Sequence, residues 1–120
     1  MQELQGCFGF LGFGNMGGAI AAGLLTQKTL RVDQIWAYDP IEDRMAEATR
    51  VGIQCAESPQ TLITTCDTLI LAVKPQMLED AVAPVASTIP QGIRVISIMA
   101  GISIATLEKY FGGNARIIRV

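Results

Sequence analysis

The sequence predicts one α/β domain built on a doubly wound parallel sheet. Three observations carry this expectation. Short apolar runs alternate with helical patterns along the whole chain. Half of the 120 residues are hydrophobic, whereas only 17% are charged. A glycine-rich turn follows the first apolar run directly. Strands alternating with helices imply parallel pairing through right-handed crossovers. A parallel sheet covered on both faces needs strands that are apolar almost throughout, which accounts for the hydrophobic excess.

Taken in order, residues 7–11 form the first expected strand, and residues 15–27 a helix. In that helix Met16, Ile20 and Leu24 recur at fourfold spacing, with Ala19, Ala22 and Gly23 as small packing positions. Residues 35–38 form the second strand. Asp39-Pro40-Ile41-Glu42 then opens a helix, with Asp39 as cap, Pro40 at the first helical position and Glu42 completing a capping box. A short third strand covers 52–55, and Ser58-Pro59 begins another helix. Residues 68–73 read as the most deeply buried strand, because every position but the first is apolar. Pro75 starts a helix with Leu78, Val82 and Val85 on one face, kinked or split at Pro84. Residues 93–98 form the fifth strand, Ser103 caps a helix ending at Gly112-Gly113, and residues 116–120 form the sixth.

Composition excludes several classes of function. The net charge is −2 with no cluster of lysine and arginine, which argues against nucleic acid as a partner. Apolar stretches are broken by Gly, Pro or charge well short of a membrane span. Residues 1–3 place no basic segment before an apolar one, so no secretory leader is expected. Three cysteines without Cys-x-x-Cys spacing read as buried small hydrophobes in a reducing, cytoplasmic setting. The chain has no histidine, which removes the commonest metal ligand and general base and excludes a zinc site or a Ser-His-Asp hydrolase.

The candidate chemistry lies just beyond the strand ends, where ligands of doubly wound sheets bind. Gly12-x-Gly14-x-x-Gly17 follows a strand and opens a helix, the context that makes this motif a dinucleotide fingerprint. Gly12 permits the tight turn, Gly14 lets backbone approach a pyrophosphate, and Gly17 lets the helix pack on the strand. The helix then aims its unsatisfied N–H groups and positive end at the phosphates. These features specify a Rossmann-type dinucleotide-binding domain of about six strands. Asn15 fits two roles, phosphate donor or helix cap.

Asp39 follows Gly17 at about the 20-residue distance expected of an acid that accepts from the adenosine ribose hydroxyls. It also fits as a helix cap. A carboxylate there repels a 2′-phosphate and so favours NAD over NADP. Arg44 offers a counter-charge for such a phosphate, although a solvated helix arginine is the plainer reading. Lys74 fits either a surface position or a charge near the cofactor or a substrate carboxylate. Met99, Ala100 and Gly101 end the fifth strand with room for a planar ring against the backbone. No pair of residues makes a general acid and base, so the chemistry is expected to belong to the cofactor.

The segments GFGNMG at 12–17, LAVKPQ at 71–76, SIMAGI at 97–102 and RIIRV at 116–120 occur in an order that resembles the pyrroline-5-carboxylate reductase family. The resemblance covers essentially the whole chain. It implies reduction of 1-pyrroline-5-carboxylate to L-proline by NADPH or NADH. It also implies that Leu11, Gly12, Phe13, Gly14, Asn15, Met16 and Gly17 hold the pyrophosphate. Ala72, Val73, Lys74 and Pro75, with Met99, Ala100 and Gly101, would line the ribose and nicotinamide.

The chain departs from the family at three places. Asp39-Pro40 stands where NADP-preferring members often carry an arginine. Ser58-Pro59 stands where members often place an asparagine. Members also continue past the Arg-Val of the last segment into a helical domain that dimerises and supplies much of the substrate pocket. This chain is therefore expected to be the cofactor-binding domain of such an enzyme, working as a homo-oligomer through the other domain. On its own it should bind dinucleotide and turn over poorly, with apolar surface exposed at its last strand. Two other readings are a different dehydrogenase (hydroxyacid, prephenate or deazaflavin-dependent) and a non-catalytic dinucleotide-binding module.

Overall fold

The computed structural model describes residues 5–112 and 115–120. The readings made for residues 1–3 and for Gly113 lie outside the described residues. Six parallel strands form one sheet: β1 (Phe8–Leu11), β2 (Ile35–Tyr38), β3 (Gln54–Cys55), β4 (Thr68–Leu71), β5 (Arg94–Ser97) and β6 (Arg116–Arg119). Their spatial order is β3-β2-β1-β4-β5-β6. The chain runs outward from β1 in one direction and then crosses to β4 and continues in the other. The strand order thus reverses between β1 and β4, and their carboxyl ends open a crevice there. The helices are α1 (Asn15–Thr26), α2 (Glu42–Arg50), α3 (Pro59–Thr65), α4 (Pro75–Val82) and α5 (Ile104–Phe111).

Two apolar layers hold the sheet. On the α1/α2 face Phe8, Phe10, Ile35, Ala37 and Ile70 pack with Phe13, Ala21, Ala48 and Ile53. On the opposite face Leu11, Leu69, Leu71 and Val95 pack with Leu62, Ile63, Leu78, Val82, Leu107 and Phe111. All four residues of β1 and of β4 are buried, as central strands covered on both sides require. At the far edge β6 leaves Ile118 60% exposed, in line with the apolar surface expected at the last strand.

Several helix starts obey their local chemistry. Ser58 Oγ accepts from the Thr61 N–H at 3.1 Å, and Ser103 Oγ accepts from the Thr106 N–H at 3.1 Å. Each satisfies one donor that the helix geometry leaves open. Ser58→Ala should therefore cost about 1 kcal/mol, read as a lowered midpoint in urea unfolding with an unchanged slope. Pro84 acts as expected: α4 gives way at Ala83 to a 3₁₀ segment, Ala83–Thr88. Gly112 ends α5 at φ +84°.

Three local readings are corrected. First, α2 begins at Glu42 with Ile41 as its cap residue, so neither the Asp39 cap nor the Pro40 start holds. Asp39 Oδ1 instead accepts from the Ile41 N–H at 2.9 Å, an Asx turn that delays the helix by two residues. Second, the three small residues of α1 expected to pack inward do not. Ala19, Ala22 and Gly23 face out and Met16 is 60% exposed, while Gly17 and Ala21 are the buried positions. Third, only Cys66 of the three cysteines is buried; Cys7 and Cys55 are half-buried. Cys7 Sγ lies 3.2 Å from Cys66 Sγ, and burial pushes both thiols above their ordinary pKa. They therefore remain protonated packing groups near neutral pH. Among the described residues no helix is long and apolar enough to cross a membrane.

Candidate dinucleotide site

The turn after β1 is shaped by two close approaches. Gly12 has φ +99°, and a Cβ there would lie 2.6 Å from the Ala72 carbonyl oxygen. Its N–H donates to Tyr38 O at 2.8 Å, and the Ala72 N–H donates to Leu11 O at 2.9 Å. Gly12 is thus clamped between the ends of β2 and β4. A Cβ on Gly17 would lie 2.6 Å from Gly12 O, so α1 rests directly on the turn it follows. The distinct jobs read for these glycines are visible as distances.

Gly14 is the cap residue of α1 and, being glycine, brings no side-chain hydrogen bond to that helix end. Asn15 is the first helical residue, which corrects the reading of Asn15 as the cap. A Gly14 Cβ would meet the Arg44 guanidinium at 3.1 Å, which places that group against the turn. The first N–H groups of α1 have no intrahelical acceptor, and the helix dipole makes this end attractive to an anion. A pyrophosphate with two anionic groups suits such a cradle.

Asp39 directly follows β2 but does not project into solvent. It is 4% exposed. Its Oδ2 accepts from the Phe13 N–H at 2.9 Å and from Arg44 Nη1 at 3.4 Å, while Oδ1 accepts from the Ile41 N–H. The carboxylate therefore joins the glycine turn to the start of α2. A buried carboxylate is tolerable only when paired and hydrogen-bonded, and these three contacts meet that requirement.

A groove of about 610 Å³ runs along the carboxyl ends of the strands. Of the residues singled out from sequence, Gly14, Asn15, Met16, Asp39, Ala72, Val73, Lys74, Pro75, Met99 and Ala100 line it. The remaining ones lie elsewhere. Leu11 is 1% exposed inside the sheet, and Gly12 and Gly17 are buried beneath the turn. Phe13 turns into the α1/α2 core, and Gly101 sits in the following turn at φ +77°. Ile41, Met77, Ile98 and Arg44 also line the groove. The first three carried no sequence signal beyond adjacency to the strand ends and helix starts. Arg44, which the sequence offers either as a counter-charge for a phosphate or as a solvated helix arginine, stands on the wall of this groove. A second groove of about 560 Å³ lies between α1 and α2 and shares Gly14, Asn15 and Arg44 with the first. Only the first lies in the crevice at the β1/β4 switch point, where the strand ends converge.

The residues present fit a dinucleotide at the turn: a Cβ-free approach at Gly14, open N–H groups and a guanidinium alongside. Toward β4 and β5 the groove is walled by Val73, Pro75, Ile98 and the exposed Ala100. Lys74 is exposed at the mouth of α4 as its cap residue.

Comparison with known proteins gives concordant results. Pyrroline-5-carboxylate reductase of Escherichia coli (strain K12) is 36% identical over 112 residues, covering 92% of this chain and 42% of that protein. A solved pyrroline-5-carboxylate reductase from Coxiella burnetii superposes with a TM-score of 0.87 at 24% identity, covering 97% of this chain and 43% of that one. Pyrroline carboxylate reductase of Plasmodium falciparum, solved with NADP bound, gives a TM-score of 0.77 at 25% identity, over 98% of this chain and 42% of its own. The chain thus spans about two fifths of the length of the curated relatives it matches. The model of the family described as NADP oxidoreductase, coenzyme F420-dependent, matches residues 7–101. With that match running from β1 through the turn after β5, the chain belongs to this NADP oxidoreductase family.

Proposed function

We propose that this chain is the dinucleotide-binding portion of an NAD(P)H-dependent reductase that converts 1-pyrroline-5-carboxylate to L-proline. The observation that carries this reading is the 36% identity to the Escherichia coli enzyme over 92% of the chain. The groove at the strand ends supports it. In this reading the first turn of α1 receives the pyrophosphate, and Leu11–Gly17 shape that cradle. Ala72, Val73, Lys74 and Pro75 flank the nicotinamide end with Met99, Ala100 and Gly101. The working enzyme is a cytoplasmic homo-oligomer acting on a small molecule.

The reduced nicotinamide, when bound, supplies hydride to the electrophilic carbon of a ring C=N bond. This chain's own residues bind and orient. The apolar walls contributed by Val73, Met77 and Ile98 exclude water from the ring's face. The exposed Lys74 ammonium lends positive charge at the groove mouth, where a substrate carboxylate would approach.

Titration of the purified chain with NADPH, followed by nicotinamide fluorescence, should show saturable binding. Adding pyrroline-5-carboxylate should leave reduced nicotinamide essentially unconsumed. Absence of binding overturns the reading, and robust turnover overturns the assignment of only the cofactor half to these residues. The family description favours one other reading, exchange between a reduced deazaflavin and NADP. Appearance of NADPH on mixing the chain with those two reactants would favour it instead.

A further inference from the structure

We propose that Cys7 and Cys66 form a dithiol modification site, which a low-molecular-weight disulfide of the glutathione type closes to a reversible intramolecular disulfide. The two residues are 59 positions apart in sequence, and the sheet brings them together. Cys7 immediately precedes β1, and Cys66 lies between the end of α3 and the start of β4. The two strands pair in parallel with Phe8 opposite Thr68, so the residues just before them also lie side by side. The Asp67 and Thr68 N–H groups both donate to Cys7 O, at 2.9 and 3.2 Å. The Cys7 N–H donates to Asp67 Oδ2 at 2.8 Å. Backbone on both sides of the pair is thus fixed, and the sulfurs stand 3.2 Å apart in the same apolar layer. A disulfide bond is about 2.05 Å long, so closure asks the two side chains to move by only about 1 Å. Gly9 leaves the room for this. A Cβ there would lie 2.8 Å from Cys66 Sγ, on the face of β1 that Cys7 shares.

Exposure assigns the order of events. Cys7 is half-buried and Cys66 buried, so Cys7 meets the oxidant first. Its thiolate attacks one sulfur of the small disulfide, forming a mixed disulfide and releasing one small thiol. Cys66 Sγ, as thiolate, then bonds to Cys7 Sγ and displaces the second small thiol. Two protein thiols are oxidised, one small disulfide is reduced to two thiols, and the two protein protons end on those thiols. Burial raises both protein thiols above their ordinary pKa, which slows the first step. The second step is intramolecular between groups already in contact, so the mixed disulfide does not accumulate. Cys55 is differently placed: its sulfur meets Thr49 Oγ1 at 3.2 Å instead of another thiol. The bond ties the end of α3 to the start of β1 and closes a long loop, which stabilises the fold. It lies at the amino ends of β1 and β4, away from the groove at their carboxyl ends, and is independent of the dinucleotide reading.

The test is prolonged incubation of the purified chain with excess oxidised glutathione, then acid quench, alkylation in denaturant and mass spectrometry. Wild type should lose the mass of two hydrogens and keep only Cys55 alkylatable. A non-reduced digest should join the peptides that carry Cys7 and Cys66, and dithiothreitol should separate them. Cys66→Ser should stop at the mixed disulfide on Cys7, whereas Cys7→Ser should leave Cys66 alkylatable. The oxidised chain should unfold at a urea concentration higher by about 1 M or more than the reduced chain. Three alkylatable thiols in oxidised wild type, or a mixed disulfide that persists on its Cys7, overturn the proposal. A lowered urea midpoint on oxidation also overturns it, because closure would then distort the sheet.

Discussion

Gly12→Ala should destabilise the protein by about 2–4 kcal/mol and lower NADPH affinity at least tenfold. The added methyl meets three obstacles at once. It would stand 2.6 Å from the Ala72 carbonyl oxygen, 2.8 Å from its carbon and 2.7 Å from Val73 Cγ1. Two of these are backbone atoms of the neighbouring strand end and cannot rotate away. The φ of +99° is also one that an alanine adopts only with strain. Relief by moving Gly12 would break its 2.8 Å bond to Tyr38 O and push its own carbonyl against Gly17. The disturbance therefore passes to the start of α1, where phosphate is proposed to bind. Denaturant unfolding and NADPH titration of the same sample would read both effects. Wild-type values in each would show that the ends of β2 and β4 do not clamp the turn.

Phe10→Ala should cost about 3–5 kcal/mol, a large share of the roughly 5–15 kcal/mol that holds such a domain together. Phe10 is fully buried, and its ring meets Phe13 edge-on with centroids 6.3 Å apart at 88°. Truncation removes the transfer energy of the ring, leaves a cavity and deletes an aromatic contact. It also reaches the site, because Phe13 carries the N–H that Asp39 accepts. A loosened Phe13 should weaken nucleotide binding beyond what the lowered stability alone explains, measured well below the melting temperature. Ile118→Ala, at a position 60% exposed on the edge strand, should change stability by less than about 0.5 kcal/mol and serves as the comparison.

Much of this fold was legible because its signals are local. Ser58-Pro59 and Ser103 mark helix starts through hydroxyls that reach three residues ahead, and Pro84 breaks a helix through its own ring. The nearly continuous apolar run at β4, too short for a helix between its turn signals, reads as a strand buried on both faces. What failed was anything set by partners distant in sequence. The capping chemistry at 39–42 was consistent with a helix starting at Pro40, but a contact 26 residues away recruited the Asp39 carboxylate to Phe13. In α1, a helix rich in alanine and glycine, apolar spacing could not say which small residues face inward. Packing of Gly17 toward Ala72, and of Ala21 in the layer that holds Ile35 and Ile70, sets that orientation.

The sequence alone determined the alternation of strands and helices, the glycine turn and its place after the first strand. Each depends on steric and hydrogen-bonding preferences within a few residues. Tertiary structure alone decided that Asp39 faces the turn and that Arg44 faces the groove. Those outcomes depend on which groups meet when β1, β2 and α2 are brought side by side. A carboxylate and a guanidinium five residues apart have no fixed direction until the sheet supplies the third partner, the Phe13 N–H, that draws one of them inward.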